Sequence, residues 1–149
     1  MADVAAHPGS SWLIVGGGLS IVAALAHLAC IFGGPEWYRF FGAGEAMARA
    51  AGRGEWMPTL VTLGISAMLL VWAGYALSGV GWLPRLPLLR TGLVIITAIY
   101  LLRALAFVPL NLVTRNYSDG FAIISSLIVA VYGAVYAIGT MKAWRHLAP

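Results

Sequence analysis

Charged side chains are scarce in this chain of 149 residues. Lys and Arg number nine and Asp and Glu five, which together make 9% of the sequence. Soluble globular domains carry about 25% charged residues, so this composition is too poor in charge to cover the surface of a water-soluble monomer. Hydrophobic residues make up 61% of the chain, and the mean hydropathy is +0.89. We therefore predict an integral membrane protein.

Cysteine and clustered basic residues are also lacking. The single cysteine, Cys30, excludes an intramolecular disulfide framework and a cysteine-rich zinc or iron–sulfur site. The basic residues are scattered, whereas nucleic-acid binding requires a concentrated basic face. We predict no nucleic-acid partner, no metal site and no cofactor. Eight of the nine basic residues are arginine and glycines number 18, which indicates a GC-rich, bacterial genome.

Four apolar segments remain, each close to the length of about 20 residues that crosses about 30 Å of hydrocarbon. Lipid offers no hydrogen-bond partner to an exposed backbone, so each segment is expected to be a helix. The sequence predicts an all-α fold, an integral membrane four-helix bundle that forms a single domain over residues 1–149. The predicted spans are residues 12–32, 58–78, 88–108 and 120–141.

The first connection, residues 33–57, is long enough to have structure of its own. Pro35 suits the first turn of a helix, and residues 36–41 mix aromatic with charged side chains, as segments at a membrane interface do. Glu45 and Arg49 have the i,i+4 spacing of a second short helix over residues 45–51. We predict a partly helical cap that lies against the membrane surface. The segment from Pro109 to Gly120 is expected to contain the exit from the third span and the last turn.

The orientation of the bundle follows from the distribution of Lys and Arg. Residues 1–11 contain neither, so the first span is interpreted as a permanent helix rather than a signal peptide. Four spans place both termini on one side of the membrane, and each side carries four basic loop or tail residues. The basic tail at residues 142–146 favours cytoplasmic termini. The predicted location is the bacterial inner membrane.

Small residues recur in the first span. Its three consecutive glycines are reminiscent of a dinucleotide-binding turn, but that turn needs a preceding strand and an acid about twenty residues later. Gly16, Ser20 and Ala24 instead repeat every four residues, a pattern that favours close helix packing. Gly133 and Ala137 have the same spacing in the fourth span. The pattern leaves open whether this packing is within one chain or between two copies.

Arg103 is the most informative single residue. A charge near the middle of a membrane costs about 2.5–3.5 kcal/mol on insertion scales, so it usually faces the bundle or a wet cavity. If the third span ends at Val108, the side chain is able to snorkel to the headgroups. If the span instead covers residues 91–113, Arg103 lies near its middle and snorkelling is a weaker explanation.

Polar residues of all four spans are predicted to share one layer. His27 and Arg103 each precede the end of their span by five residues, and a lone histidine in such a helix is most often a packing residue. Ser125 and Ser126 follow Gly120 by five and six residues, and Thr62 lies in the first turns of the second span. These positions place the layer about 8 Å beneath one interface.

This layer predicts a half-buried polar pocket beneath the cap. His27 and Arg103 suit an anionic or polar headgroup, and aromatic side chains are expected to enclose an apolar body. An alternative is that His27 and Arg103 pair with acids of the first connection and hold it in place. The remaining predicted ligand-binding residues are Tyr100, Thr62, Ser125, Ser126, Glu36, Trp37 and Trp56, and the acids of the alternative are Glu36, Glu45 and Glu55.

These features favour binding over catalysis. The spans contain one usable histidine and no acid, which is a thin basis for an enzyme, and haem between helices normally requires two histidines. No internal repeat relates the two halves, so transport would require assembly. We predict a small membrane protein that binds a lipid or a small amphipathic ligand. The alternative is an accessory or structural subunit of a larger membrane complex or of an oligomeric transporter, whose partners are a second copy or another membrane protein.

Overall fold

The computed structural model describes residues 7–148, which form five α-helices and no strand. Four of these helices are long and apolar enough to cross a membrane. The predicted all-α four-helix bundle is confirmed, and the chain is a multi-pass membrane protein. The helices are α1 (Ser10–Phe40), α2 (Glu45–Gly52), α3 (Met57–Val80), α4 (Leu89–Thr114) and α5 (Asp119–Ala143).

The bundle has two distinct ends. The terminal end comprises residues 7–9, 79–90 and 142–148, where the ring of His7 stacks on that of His146 with centroids 5.0 Å apart. The loop end comprises residues 35–57 and 111–121, where Thr62 Oγ1 of α3 lies 3.2 Å from Tyr38 Oη of α1. Helix α1 packs most extensively on α3, α4 packs on α5, and α1 also contacts α5.

The small residues of α1 pack inside the monomer. A Cβ atom at Gly16 would lie 3.0 Å from Tyr136 Cε2, so the absence of a side chain there lets α1 approach α5 closely. Ser20 and Ala24 have no exposed surface. Gly133 makes the equivalent contact with Leu101, between α5 and α4. These small residues of α1 therefore pack between helices of one chain and not between two copies.

A polar network joins the four spanning helices at the centre of the bundle. Ser20 Oγ of α1 lies 2.8 Å from Tyr136 Oη of α5 and 3.1 Å from Tyr100 Oη of α4. Tyr136 also donates a hydrogen bond of 3.1 Å to the carbonyl of Trp72 in α3. Because lipid supplies no alternative partner, these buried hydroxyls must be satisfied within the protein.

The first connection has the predicted structure. Gly34, with a φ of 66° and a ψ of −155°, interrupts α1 immediately before Pro35. The chain bends there because Pro35 has no backbone N–H to donate, and the helix then continues to Phe40. Helix α2 covers Glu45–Gly52, one residue longer than predicted. Aromatic side chains of this region are exposed, including Phe40 and Trp56, as is typical of a membrane interface.

Helix α4 extends six residues beyond residue 108, where the shorter of the two predicted spans ends. Helix α4 passes through Pro109 and ends at Thr114, because a proline in a spanning helix removes only one backbone hydrogen bond. The actual end is set by Asn111, whose side chain binds both the N–H and the carbonyl of Tyr117, at 3.0 and 3.1 Å. These two bonds close the tight turn between α4 and α5.

Candidate functional site

Arg103 lies near the middle of α4, eleven residues before the end of the helix at Thr114. At about 1.5 Å per residue, its Cα is about 16 Å from the loop end of the helix. The guanidinium extends towards that end and lies over Phe107, one turn further along, with 3.7 Å between Cζ and the ring centroid. Of the two spans considered for this segment, residues 91–113 therefore describe α4 better than residues 88–108.

The guanidinium of Arg103 is only partly satisfied. Its Nη2 donates a hydrogen bond of 3.0 Å to Ser125 Oγ of α5, whereas its Nη1 is enclosed and has no hydrogen-bond partner among residues 7–148. No carboxylate of the described chain lies within ion-pair distance of Arg103. The site is thus a cation without a counter-charge between two spanning helices.

The acids of the cap bind arginines of the cap itself. Arg39 donates to both oxygens of Glu45, at 2.9 and 3.1 Å, and to Glu36 at 2.6 Å. Arg53 donates to Glu55 at 2.6 Å. The alternative in which His27 and Arg103 hold the cap through these acids is therefore contradicted. The hydrogen bond from Arg39 stabilises the ionised carboxylate and holds the pKa of Glu45 below its ordinary value.

Three aromatic rings, named here the aromatic cluster, lie between Arg103 and the cap. Phe107, Tyr117 and Phe121 have ring centroids 5.4 to 6.4 Å apart. The cap closes over them, because the backbone at Gly42 contacts the Phe121 ring and Gly44 approaches the Tyr117 hydroxyl. The cluster therefore forms an apolar lid between the guanidinium and the loop end.

The remaining members of the predicted layer are not gathered around Arg103. His27 Nδ1 donates to the carbonyl of Ala23 in its own helix, at 2.8 Å, which is the packing role expected of a lone histidine. Thr62 donates to the carbonyl of Pro58, at 2.7 Å, beside Tyr38. Within residues 7–148 no hydrogen bond connects either side chain to Arg103. Of the layer, only Arg103 and Ser125 are joined directly.

The other predicted site residues occupy three different environments. Tyr100 belongs to the central polar network and is 6% exposed. Trp37 and Trp56 are exposed on the outside of the cap, and Glu36 is exposed and bound to Arg39. Ser126 is buried next to Ser125 in the sequence, and its hydroxyl has no hydrogen-bond partner in the described chain.

Sequence reasoning missed most of the aromatic cluster and Asn111. Phe107 shares a helical face with Arg103, which is a usable signal. Tyr117 lies in the turn before α5, and Phe121 follows four residues later in the first turn of that helix. Asn111 is a single amide in an apolar helix and carries no pattern of its own. Between residues 7 and 148 no three His, Cys, Asp or Glu side chains are close enough to hold a metal ion.

The structure thus defines a multi-pass four-helix bundle in which an arginine near the middle of a spanning helix pairs with no carboxylate of residues 7–148. No protein-family model, curated protein or solved structure matches the chain. A function has to be inferred from the residues of the site, because a helical bundle alone is compatible with many activities.

Proposed function

We propose that this protein binds an amphipathic ligand with an anionic head, such as a lipid phosphate or carboxylate, and that Arg103 receives that head. One observation carries the proposal: the guanidinium of Arg103 lies between α4 and α5 with Nη1 unpartnered and no carboxylate at ion-pair distance in residues 7–148. Arginine is suited to this role because its planar fork of donors matches a phosphate or a carboxylate.

The energetics favour an external anion. A charged side chain at membrane depth costs about 2.5–3.5 kcal/mol on insertion scales, and it normally finds a partner or a wet cavity. The hydroxyl of Ser125 is a neutral acceptor and does not compensate a full charge. A bound anion would supply both the counter-charge and acceptors for the remaining N–H groups, and it would lower the cost of holding this charge between two spanning helices.

The surroundings of Arg103 suit the apolar part of such a ligand. Leu102 and Leu105, on the neighbouring positions of α4, are 66% and 74% exposed and face hydrocarbon in a membrane. An acyl chain or an apolar ring is able to lie along them while the head reaches the guanidinium. The aromatic cluster separates this position from the cap, which limits access of water from the loop end.

We also propose that the protein resides in a bacterial inner membrane with its terminal end in the cytoplasm. The four arginines of the loop end each lie within 4 Å of a carboxylate. The terminal end has no carboxylate side chain between residues 7 and 148, and basic residues without matching acids are attracted by the negative surface potential of the cytoplasmic leaflet. Its four cations are Arg85, Arg90, Lys142 and Arg145.

The test is to extract the protein in native lipid discs and to identify by mass spectrometry every molecule that stays bound. Wild type is compared with Arg103→Gln, which removes the charge and keeps much of the side-chain volume. We expect an anionic amphipathic molecule in the wild type, at least tenfold depleted in the variant, because a charge-assisted bidentate contact is worth more than about 1.4 kcal/mol.

The matched control is Arg115→Gln, which removes an exposed arginine at the loop end that pairs with Asp119. We expect this variant to retain the ligand, and unfolding temperatures identify any variant that is simply misfolded. Equal amounts of bound small molecules in Arg103→Gln and the wild type contradict the proposal. A stoichiometric protein partner that supplies a carboxylate to Arg103 also contradicts it and supports the accessory-subunit alternative.

A further inference from the structure

We propose a second binding site, a cleft at the terminal end that receives the headgroup of an anionic phospholipid. The cleft has a volume of about 470 Å³ and lies at the opposite end of the bundle from the aromatic cluster, so it does not depend on the function proposed for Arg103. Its lining combines cationic with apolar side chains: Pro8, Met141, Lys142, Trp144, Arg145 and His146.

The two cations of the cleft, Lys142 and Arg145, are exposed and form no hydrogen bond or ion pair with any part of residues 7–148. At the loop end, in contrast, arginines are matched by carboxylates. Among residues 7–148, the terminal end therefore carries cations without matching carboxylates, and two of these cations line the cleft. Such charge attracts anionic headgroups within about 10 Å at moderate salt.

The apolar side of the cleft is held rigidly. The guanidinium of Arg90 lies 4.2 Å from the ring centroid of Trp144 and donates a 2.7 Å hydrogen bond to the carbonyl of the same residue. Arg90 is therefore a positioning residue for this indole ring. Tryptophan is typical of the headgroup level of membranes.

The position of the cleft favours a lipid over a soluble anion. Lys142 belongs to the last turn of α5, where the spanning helix leaves the hydrocarbon, and the neighbouring Met141 is 67% exposed. A phospholipid of the adjoining leaflet is able to place its phosphate between Lys142 and Arg145 while its glycerol and upper acyl chain contact Met141 and Trp144. A free phosphate would use only the charged half of this surface.

The experiment is a titration of the full chain, in a neutral detergent, with phosphatidylglycerol or phosphatidylcholine, followed by native mass spectrometry. Lys142→Gln/Arg145→Gln is expected to weaken phosphatidylglycerol binding by about fivefold per cation, roughly 25-fold in all, because each basic residue contributes a similar increment near an anionic surface. Phosphatidylcholine binding is expected to stay the same. Because both side chains are exposed, we expect the double variant to fold like the wild type. Its thermal unfolding temperature checks this expectation.

The matched control is Arg49→Gln/Arg53→Gln, which removes the same charge from exposed positions of the loop end. This variant is expected to bind phosphatidylglycerol at the cleft like the wild type. Equal weakening in both double variants overturns the proposal in favour of non-specific charge attraction, and unchanged binding in Lys142→Gln/Arg145→Gln overturns it outright. Displacement of the lipid by soluble glycerol phosphate overturns the lipid assignment.

Discussion

Ser20 of α1 and Tyr136 of α5 are 116 residues apart in the sequence, and their hydroxyl oxygens lie 2.8 Å from each other at the centre of the bundle. Both side chains have no exposed surface. Ser20 also contacts the hydroxyl of Tyr100, and Tyr136 in turn donates a hydrogen bond to the carbonyl of Trp72. The network contributes to stability and to the relative positions of all four spanning helices.

Tyr136→Phe is expected to lower the free energy of unfolding by about 1 kcal/mol, since hydrogen bonds between membrane helices are worth about 0.6 kcal/mol on average and up to about 1.7. The substitution removes one of the two hydroxyl partners of Ser20 and the side-chain donor to the Trp72 carbonyl without changing the packing of the ring. Unfolding in detergent measures the effect. Tyr132→Phe, one turn earlier in α5, is the control, because its hydroxyl has no partner among residues 7–148; an equal loss in both variants contradicts the network's role.

Gly42→Ala is expected to destabilise the cap over the aromatic cluster. Gly42 has a φ of 74°, where an L side chain costs about 1–2 kcal/mol, and its Cβ would overlap the ring of Phe121. Overpacking adds about 1–3 kcal/mol. Gly54→Ala separates the two effects, because Gly54 also has a φ of 74° but open space around it.

Thermal unfolding in detergent provides the measurement for this pair of variants. Both variants carry the same cost of an L side chain at a φ of 74°. We therefore expect Gly42→Ala to unfold at a lower temperature than Gly54→Ala, because only Gly42→Ala overlaps the ring of Phe121. If the two variants unfold at the same temperature, the ring of Phe121 does not pack against Gly42 and the cap does not close over the aromatic cluster as described.

The pair of Arg39 and Glu45 is expected to make the cap sensitive to acid. The hydrogen bond from Arg39 lowers the pKa of Glu45 below 4.5, its ordinary value, so folding favours the ionised carboxylate. The contribution of this pair to stability is fully present above the pKa that Glu45 has in the unfolded chain. It is lost as the pH falls through the lower pKa that Glu45 has in the folded protein. Carbon-13 NMR of labelled glutamate follows this titration directly.

In the same titration, Arg39→Gln is expected to raise the midpoint of Glu45 towards its ordinary value. Arg53→Gln removes the same charge from the same segment but pairs with Glu55 instead, and it is expected to leave Glu45 nearly unchanged. A midpoint for Glu45 that is the same in the wild type and in Arg39→Gln would show that the two side chains are not paired in solution.

The sequence predicted the architecture well because membrane insertion depends on local properties. Four apolar segments of spanning length predict four helices, and Pro35, Glu45 and Arg49 predict the helical cap between them. Helix α4 continues past Pro109 to Thr114, because a proline interrupts a helix in water more readily than in a membrane. The turn after α4 is closed by Asn111 through two bonds to Tyr117.

The candidate site was predictable only in part. Arg103 and Ser125 were assigned to one layer from their depth alone, and the structure joins them. Depth says nothing about the direction in which a side chain points around its helix. His27 has a similar predicted depth but binds its own backbone at Ala23, and Tyr100, one turn from Arg103, belongs to the central network.

The sequence by itself therefore determined how many helices are long and apolar enough to cross a membrane, approximately where each lies in the chain and which residues carry charge. Hydropathy and helix periodicity act over neighbouring residues, and they are sufficient for those features. The tertiary structure alone decided which helices pack together, that Arg103 meets Ser125 and no carboxylate, and that the cations of the terminal end surround a cleft. Those outcomes depend on side-chain packing between segments that are far apart in the chain.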